Sequence, residues 1–313
     1  MTVAQALQAA LTLGLFRLDA QGLLLHVLGK APTERGWLLA QGDDHLTDAA
    51  AEAFKALAAR AALGEPLAYL TGWQAFYGLE LAVDDRVLIP RPDTETLVDW
   101  ALELMDQAAV LAPHTGALSR LGSGAVLDLG TGSGAVALAL KHSRPQWRVW
   151  ASDASGDALA VAQSNAVRLG LDVVFSQGNW FEACLGAAFE TAFDATSVAS
   201  SVASIDAPSE KSGRFNLIVS NPPYIADNDA HLRALGHEPQ QALTSGADGL
   251  DDIHHIVARA SKHLMTGGWL LLEHGYDQAE RVRALLAQSG FSHVQSRRDL
   301  AGIERCSGGQ LSA

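Results

Sequence analysis

The chain has 313 residues, of which 48% are hydrophobic and 18% charged, and its formal net charge is −13. The length predicts two domains rather than one, and the acidic balance argues against a protein that holds a nucleic-acid backbone, because such proteins present a basic face. The two cysteines, Cys184 and Cys306, stand far apart without a CxxC or Cys/His cluster, so we expect no disulfide framework, no metal site and a reducing compartment.

Residues 1–78 are predicted to be helical. Val3, Leu7 and Leu11 recur at helical spacing, and the stretch TDAAAEAFKALAARAALG, from residue 47 to residue 64, is Ala-rich and ends on glycine. No strand pattern precedes this part's end. The N-terminus has no basic region before an apolar one, and no apolar run reaches membrane-spanning length. We therefore expect a cytoplasmic protein without a membrane partner.

Residues 79–93 are predicted to form a β-hairpin and hinge that link two domains. Apolar residues alternate on both sides of Asp84-Asp85, at Leu79, Leu81 and Val83 and then at Val87 and Ile89. A Pro-Arg-Pro hinge follows, and a helix begins near Asp93 or Thr94.

Residues 94–313 are predicted to form a doubly wound α/β domain with a mainly parallel sheet, because strand patterns alternate with helix patterns. The third and fourth strands are separated by residues 186–213, which are rich in Ala and Ser and predict a mobile surface insertion. Six strands are expected, in the stretches AVLDLG, RVWASD, DVVFSQGN, FNLIVSNPPY, WLLLEHG and FSHVQSRRD.

The first of these strands turns into a helix through DLGTGSGAVALAL, whose glycines allow a tight bend and close approach to a ligand. The spacing also satisfies a dinucleotide-binding pattern, so the loop alone could hold NAD, FAD or a nucleoside such as S-adenosylmethionine. Asp153 ends the second strand, where a carboxylate can accept hydrogen bonds from both ribose hydroxyls. Capping the next helix is the alternative role for Asp153, but Ser155 and Asp157 serve that purpose equally well.

The stretch IVSNPPYIAD leaves the fourth strand and can neither continue a helix nor extend a central strand. In a sheet of this order the first and fourth strands are neighbours, so this turn and the glycine loop face one crevice. The Asn221 side-chain oxygen and the Pro222 carbonyl are two acceptors that can hold an –NH₂ group, with Tyr224 as an aromatic wall. Catalysis would then come mainly from orientation against an activated electrophile such as a sulfonium methyl. A rigid loop with no ligand is the alternative interpretation.

DLGTGSG, SNPPY and IPRPDTE, at residues 89–95, together resemble the HemK/PrmC protein-glutamine methyltransferases. The resemblance covers most of the chain and implies a seven-stranded class I methyltransferase sheet, S-adenosylmethionine as cofactor and peptide-chain release factors as partners. It implies methylation of the glutamine in their Gly-Gly-Gln motif, with the N-terminal helices recognising the substrate protein. It implies catalytic roles for Asn221, Pro222 and Tyr224, and places the glutamine amide against these residues and Pro223. The cofactor contacts that it implies are Gly130, Thr131, Gly132, Ser133, Gly134, Asp153, Trp180 and Asn221.

Two other functions stay open from the residues alone. Adenine-amine methyltransferases of DNA or RNA share the Asn-Pro-Pro-Tyr sequence, although the acidic composition and IPRPDTE argue against direct nucleic-acid binding. A nucleotide-sensing module without turnover is the other, and the intact Asn221 argues against it. Asn179 stands where the family often has an acid, Glu273 and His274 receive no role, and the tail sequence Gly308-Gly309-Gln310 is interpreted as a chance copy of the substrate motif.

Overall fold

The computed structural model describes residues 1–111, 124–185 and 214–312. The predicted insertion at residues 186–213 lies outside these ranges. Within them, every helix is too short or too polar to cross a membrane.

Five helices form the N-terminal part of the chain and share one hydrophobic core. Thr2 caps the first helix, because its hydroxyl accepts from the Gln5 amide while the Gln5 side chain accepts from the Thr2 amide. Leu23, Leu24 and Phe54 are buried where the helices meet. All five helices lie within the part predicted to be helical: α1 (Val3–Thr12), α2 (Arg17–Val27), α3 (Arg35–Ala40), α4 (Asp48–Ala62) and α5 (Leu67–Thr71).

A two-stranded hairpin follows, formed by β1 (Trp73–Phe76) and β2 (Leu79–Ala82). Its turn residues Tyr77 and Gly78 both have left-handed backbone, with φ of 48° and 77°, which is the backbone of a two-residue type I′ turn. Glu95 stabilises this turn by accepting a hydrogen bond from the Tyr77 amide at 3.0 Å.

The predicted hairpin around Asp84-Asp85 is therefore wrong, as is the prediction that no strand begins before residue 79. Val87 and Ile89 are buried, as their alternation indicated, but they belong to an irregular segment that packs against Ala158 and Val161. Alternating burial arises here because an extended, unpaired segment lies on a helix.

A seven-stranded sheet forms the rest of the fold, with strand order β5-β4-β3-β6-β7-β9-β8. The first five of these pair in parallel, and β9 pairs antiparallel with both β7 and β8. The predicted doubly wound, mainly parallel sheet is confirmed. Its strands are β3 (Ala125–Leu129), β4 (Arg148–Asp153), β5 (Val174–Gln177), β6 (Phe215–Ser220), β7 (Leu264–Glu273), β8 (Phe291–Arg298) and β9 (Glu304–Leu311).

Helices cover both faces of this sheet, so residues of one strand alternate between two cores. In β6, Leu217 and Val219 point into the core beneath α6 to α8, whereas Phe215 and Ile218 point into the core beneath α9 and α10. These helices are α6 (Glu95–Leu111), α7 (Ala135–Ser143), α8 (Gly156–Leu169), α9 (Asp251–Ala260) and α10 (Ala279–Gln288). A 3₁₀ turn, Pro92–Thr94, leads directly into α6.

The sequence predicted six strands within the chain, and the seventh is the tail that carries Gly308-Gly309-Gln310. This strand, β9, lies between β7 and β8, and the Gln310 side chain donates to the Gly267 carbonyl at 2.8 Å. A Cβ at residue 308 would lie 2.7 Å from the Leu270 carbonyl oxygen and 2.9 Å from the Trp100 ring. The glycine is thus explained by close packing within the sheet.

Candidate active site

The glycine loop, residues 130–134, leaves β3 and begins α7. Gly130 and Gly134 have φ of +71° and +86°, a region that side chains with a Cβ rarely adopt. A Cβ at Gly130 would also lie 3.3 Å from the Trp180 ring, and one at Gly134 would lie 2.9 Å from Leu138. Both positions therefore require glycine for conformation and for space.

A buried carboxylate organises this loop from beneath. Asp128 Oδ2 accepts from the Thr131 hydroxyl at 2.7 Å and from the Ala137 amide at 3.2 Å, which ties the loop to the first turn of α7. Burial raises the pKa of Asp128 from 3.8 to about 7, although both hydrogen bonds act in the opposite direction. The Thr131 side chain therefore points into the loop and away from solvent.

Asn165 joins the loop to the hairpin. Its side chain, fully buried in α8, exchanges hydrogen bonds with Ala82 N at 2.7 Å and Ala82 O at 3.0 Å, and donates to Ser133 O at 3.0 Å. The Asn165 amide is satisfied by partners on two elements, so β2 and the glycine loop are held in one arrangement.

Asp153 ends β4 beside the glycine loop. Its Oδ2 accepts from the Gly132 amide at 2.8 Å and its Oδ1 from the Ser155 amide at 2.9 Å. Burial raises its pKa, and these amides lower it. Ser155 caps α8 by accepting from Ala158 N at 3.1 Å. Ser155, and not Asp153, therefore caps α8.

Trp180 forms the opposite wall. It follows β5 with a left-handed backbone, φ 51°, which is rare for a bulky residue and needs support from its surroundings. Its indole N–H donates to Asp252 Oδ1 at 3.2 Å, so α9 holds the ring against the glycine loop. The neighbouring Asn179, the departure from the family pattern, also lines this wall.

The Asn-Pro-Pro-Tyr turn, residues 221–224, leaves β6 next to the glycine loop. Strands β3 and β6 pair in register, Leu129 with Ser220, and the Ser220 hydroxyl donates to Leu129 O at 2.7 Å. The predicted adjacency of the two loops is confirmed. The Asn221 side chain donates from Nδ2 to Thr94 Oγ1 at 3.1 Å, which directs its Oδ1, an acceptor, away from Thr94.

A buried acid, Glu273, lies behind this turn at the end of β7. The Tyr224 hydroxyl donates to its Oε1 at 3.3 Å, and the Thr94 hydroxyl is a second donor. Burial raises the pKa of Glu273 to about 7 against these two hydrogen bonds. Burial also raises the pKa of Tyr224.

The backbone of the turn is supported on its other side by residues 243–249. Ile225 N donates to Leu243 O at 2.9 Å, and Gln278 Nε2 donates to Tyr224 O at 3.0 Å. Gly249 packs directly against the Tyr224 carbonyl, with φ +75°. Among the hydrogen bonds between described residues, none uses the Pro222 carbonyl oxygen.

The outer wall comes from residues 86–91 and 238–242. Glu238 is buried, accepts from the Ile89 amide at 3.1 Å and pairs with the Arg91 guanidinium. Tyr69 in α5 donates to Val87 O at 2.6 Å, which joins the helical N-terminal part to the same segment. These contacts border an open cleft of about 190 Å³ between the wall and the two loops.

Six of the residues that the resemblance implied line this cleft: Gly130, Gly132, Asp153, Trp180, Asn221 and Pro223. The structure places the others differently. Thr131, Ser133 and Gly134 are buried within the glycine loop, Pro222 is buried within its turn, and the Tyr224 hydroxyl donates to Glu273.

Sequence reasoning placed Thr94 near a helix start and Glu273 at the end of a strand, but it gave neither residue a role in the site. Thr94 stands inside IPRPDTE, so the sequence did mark its segment without indicating its contact. Glu273 ends a buried strand with a charged residue, which is the signal that could have found it, because an ionisable group in a core needs partners.

Two family models match this chain: the PrmC N-terminal domain over residues 3–72 and a methyltransferase domain over residues 126–212. The chain is also similar to the catalytic domain of hMettl16, solved with an RNA hairpin, at 13% identity and a TM-score of 0.50 over 84% of this chain and 83% of that one. This likeness concerns the fold alone.

Curated relatives are similar over almost their whole length. The release factor glutamine methyltransferase of Xylella fastidiosa is 44% identical over 97% of this chain and 97% of its own. That of Bordetella pertussis is 46% identical over 95% of this chain and 96% of its own. With this identity and coverage, the chain belongs to the release factor glutamine methyltransferase family.

Proposed function

We propose that this protein transfers a methyl group from S-adenosylmethionine to the side-chain amide nitrogen of the glutamine in the Gly-Gly-Gln motif of release factors. One observation carries the proposal. The Asn221 amide group donates to Thr94, and its oxygen accepts no hydrogen bond from a described residue, so it can accept from a substrate –NH₂ beside the glycine loop.

The chemistry of the cleft supports a cationic nucleoside cofactor. The Asp153 carboxylate has acceptor positions beyond its two backbone partners and suits ribose hydroxyls. The Trp180 ring offers a flat surface for a base, and Gly132 leaves open space above the loop. We assign cofactor binding to these residues together with Gly130 and Asn221.

When bound, the cofactor supplies an electrophilic methyl carbon on a positively charged sulfur. The protein's task is to position a weak nucleophile, since an amide nitrogen reacts poorly without orientation. Asn221 Oδ1 and the Pro222 carbonyl are proposed to accept one hydrogen each from the substrate amide. Pro223 lines the cleft beside them, and the half-buried Tyr224 side chain stabilises the turn through its hydrogen bond to Glu273.

The substrate protein is assigned from the relatives, whose names specify release factors. We propose residues 1–78 as the domain that recognises this protein away from the reacting glutamine, residues 79–93 as the linker and residues 94–313 as the transferase domain. Remote contacts of this kind use binding energy to position the reacting group. Release factors act in the cytoplasm, where we place this protein as well.

Methyl transfer from labelled S-adenosylmethionine to a purified release factor tests the proposal, with mass mapping of the Gly-Gly-Gln peptide. A release factor whose glutamine is replaced by alanine is the substrate control, and DNA and RNA are parallel substrates that test adenine-amine methylation. We expect label on the glutamine peptide alone. Label on nucleic acid, or cofactor binding without any transfer, would contradict the proposal.

Asn221→Ala separates orientation from cofactor binding. We expect kcat to fall about 100-fold or more, because losing one preorganised transition-state contact costs this much, while the cofactor Kd measured by calorimetry stays within a few-fold. Asn228→Ala, which removes an exposed amide from the following loop, is the matched control and should keep full activity. Full activity in Asn221→Ala would remove this side chain from the mechanism.

A further inference from the structure

Two buried polar side chains stand behind Asn221, and neither of them lines the cleft. Thr94 is 3% exposed and Glu273 is 1% exposed. They come from the 3₁₀ turn before α6 and from the end of β7. A charged residue buried this deeply at the floor of a site calls for a physical explanation.

Asn221, Thr94 and Glu273 form a chain of hydrogen bonds in which each donor points toward Glu273. Asn221 Nδ2 can only donate, so Thr94 Oγ1 accepts at 3.1 Å and must direct its own proton elsewhere. The acceptor next to this hydroxyl is the Glu273 carboxylate, whose pKa Thr94 lowers and which when ionised can only accept. The Tyr224 hydroxyl donates to the same carboxylate at 3.3 Å. An ionised Glu273 therefore determines the polarity of every hydrogen bond back to Asn221.

We propose that Glu273, acting through Thr94, is a positioning residue that holds the Asn221 amide with its oxygen toward the substrate nitrogen. This inference rests on the proposed function, because the orientation matters only if the substrate presents an –NH₂ group. Neither residue touches the substrate.

Reversing these hydrogen bonds would turn the wrong group of Asn221 toward the substrate, which is why an ionised acid at position 273 matters. A protonated or amide side chain at position 273 can donate to Thr94, and Thr94 can then donate to Asn221 Oδ1. The Asn221 amide would rotate and present its own –NH₂ to the –NH₂ of the substrate. Two donors would then face each other in a site that needs an acceptor.

The groups around Glu273 shift its pKa in both directions. Burial raises its pKa to about 7, Arg305 lowers it and Asp93 raises it. Its Oε2 is buried without a partner among the described side chains, which disfavours ionisation further. The other titratable groups next to it are Tyr224, Cys306 in the paired position of β9, and His274, the next residue in the chain.

The sign of the pH dependence follows. Above pH 7 Glu273 is ionised and Thr94 donates to it, so Asn221 is held in the productive orientation. As the pH falls through about 7, the carboxyl takes up a proton and becomes a donor. The wild-type kcat should therefore fall on the acid side of this pKa.

Single-turnover rates at saturating cofactor and release factor, measured from pH 5.5 to 8.5, test the inference in four variants. Glu273→Gln keeps the shape and lets the group donate at every pH, because its amide carries an –NH₂ group. Thr94→Val removes the hydroxyl, and Thr94→Ser restores it. Tyr77→Phe is the matched control, because it removes a tyrosine–carboxylate hydrogen bond of 2.6 Å to Asp99 outside the site.

We expect Glu273→Gln and Thr94→Val to lower the rate at pH 8 by about tenfold or more, since each leaves Asn221 without its directional partner. The cofactor Kd should stay within a few-fold, because Asn221 is the one proposed cofactor contact that changes, while the glycine loop, Asp153 and Trp180 are untouched. In Glu273→Gln the rate should no longer fall as the pH decreases through about 7 (the acid limb of the wild-type profile). Thr94→Ser and Tyr77→Phe should behave as wild type. If circular dichroism shows that Glu273→Gln does not fold, comparison of Thr94→Val with Thr94→Ser tests the inference instead.

Wild-type rates in Thr94→Val, or an unchanged acid limb in folded Glu273→Gln, overturn this inference while leaving the proposed function intact. A wild-type protein that leaves the release factor unmodified overturns the proposed function, and the inference with it. The two failures are therefore distinguishable in one experiment.

Discussion

Replacing Gly249 by alanine tests whether the position of the Asn-Pro-Pro-Tyr turn depends on the segment behind it. The Gly249 backbone has φ +75°, and a Cβ built there lies 2.9 Å from the Tyr224 carbonyl carbon and 2.8 Å from Gln278 Nε2. Ordinary contacts of a Cβ begin at 3.4 Å. The same Cβ would lie closer still to the Tyr224 carbonyl oxygen. The Tyr224 peptide must therefore move by more than 0.5 Å, the difference between 3.4 and 2.9 Å, and the Gln278 side chain must shift as well.

Two costs add in this variant. An alanine in the left-handed region costs about 1–2 kcal/mol, and relief of the overpacking costs about 1–3 kcal/mol more. Gly290→Ala is the matched control, because φ is +86° and no atom lies within 4 Å of its Cβ. We expect the free energy of unfolding to fall by about 2–5 kcal/mol in Gly249→Ala and by about 1–2 kcal/mol in Gly290→Ala.

The kinetic difference between the two variants should be larger than the stability difference. A displacement of about 1 Å in a reacting geometry costs about 100-fold in rate, so half of that displacement should lower kcat about tenfold in Gly249→Ala. Urea unfolding, methyl transfer to a release factor and calorimetric cofactor binding are measured on both variants. Equal kcat in Gly249→Ala and Gly290→Ala would refute the argument that this glycine positions the turn.

Two further predictions concern the sheet and the glycine loop. Gly308→Ala should lower the free energy of unfolding, measured in urea, by about 1–3 kcal/mol or more, because its Cβ would meet the Leu270 carbonyl and the Trp100 ring. Gly36→Ala is the control and should not destabilise the protein, because this glycine lies in an exposed helix with free space around it. Burial raises the pKa of Asp128 to about 7, so the stability that its proton contributes is lost as the pH rises through that value. The free energy of unfolding should therefore fall between pH 5 and 7, and Asp128→Asn should reduce this fall by up to about 1.4 kcal/mol per pH unit. An unchanged slope in Asp128→Asn would show that the carboxyl is already ionised at pH 5.

The sequence was sufficient to predict the centre of the fold, because there the rules are local and directional. A strand, a glycine turn and a helix specify the β3–α7 unit, and right-handed crossovers of alternating strands and helices leave few topologies. The pairing of Leu129 with Ser220, which brings the glycine loop to Asn221, follows from those rules.

Strand β9 and the hairpin turn depend on distant parts of the chain. The stretch CSGGQL has no β-branched or aromatic residue, so local propensity does not mark it; it is a strand because β7 and β8 pair with it on both sides. Tyr77-Gly78 lacks the Asn or Asp usual before glycine in such a turn. The Tyr77 conformation is held by Glu95 and Asp99, which α6 supplies.

The contacts of IPRPDTE give a physical reason why this segment accompanies Asn-Pro-Pro-Tyr in one chain. Its Ile89 amide and Arg91 bind Glu238, which holds the outer wall of the cleft. Its Thr94 accepts from Asn221 and so determines which end of that amide faces the cleft. The turn alone supplies an asparagine that can face either way, and the segment, together with Glu273, selects one orientation. Two motifs that lie more than a hundred residues apart in sequence thus act as one structural unit, so altering Thr94 should impair the turn without altering any residue of it.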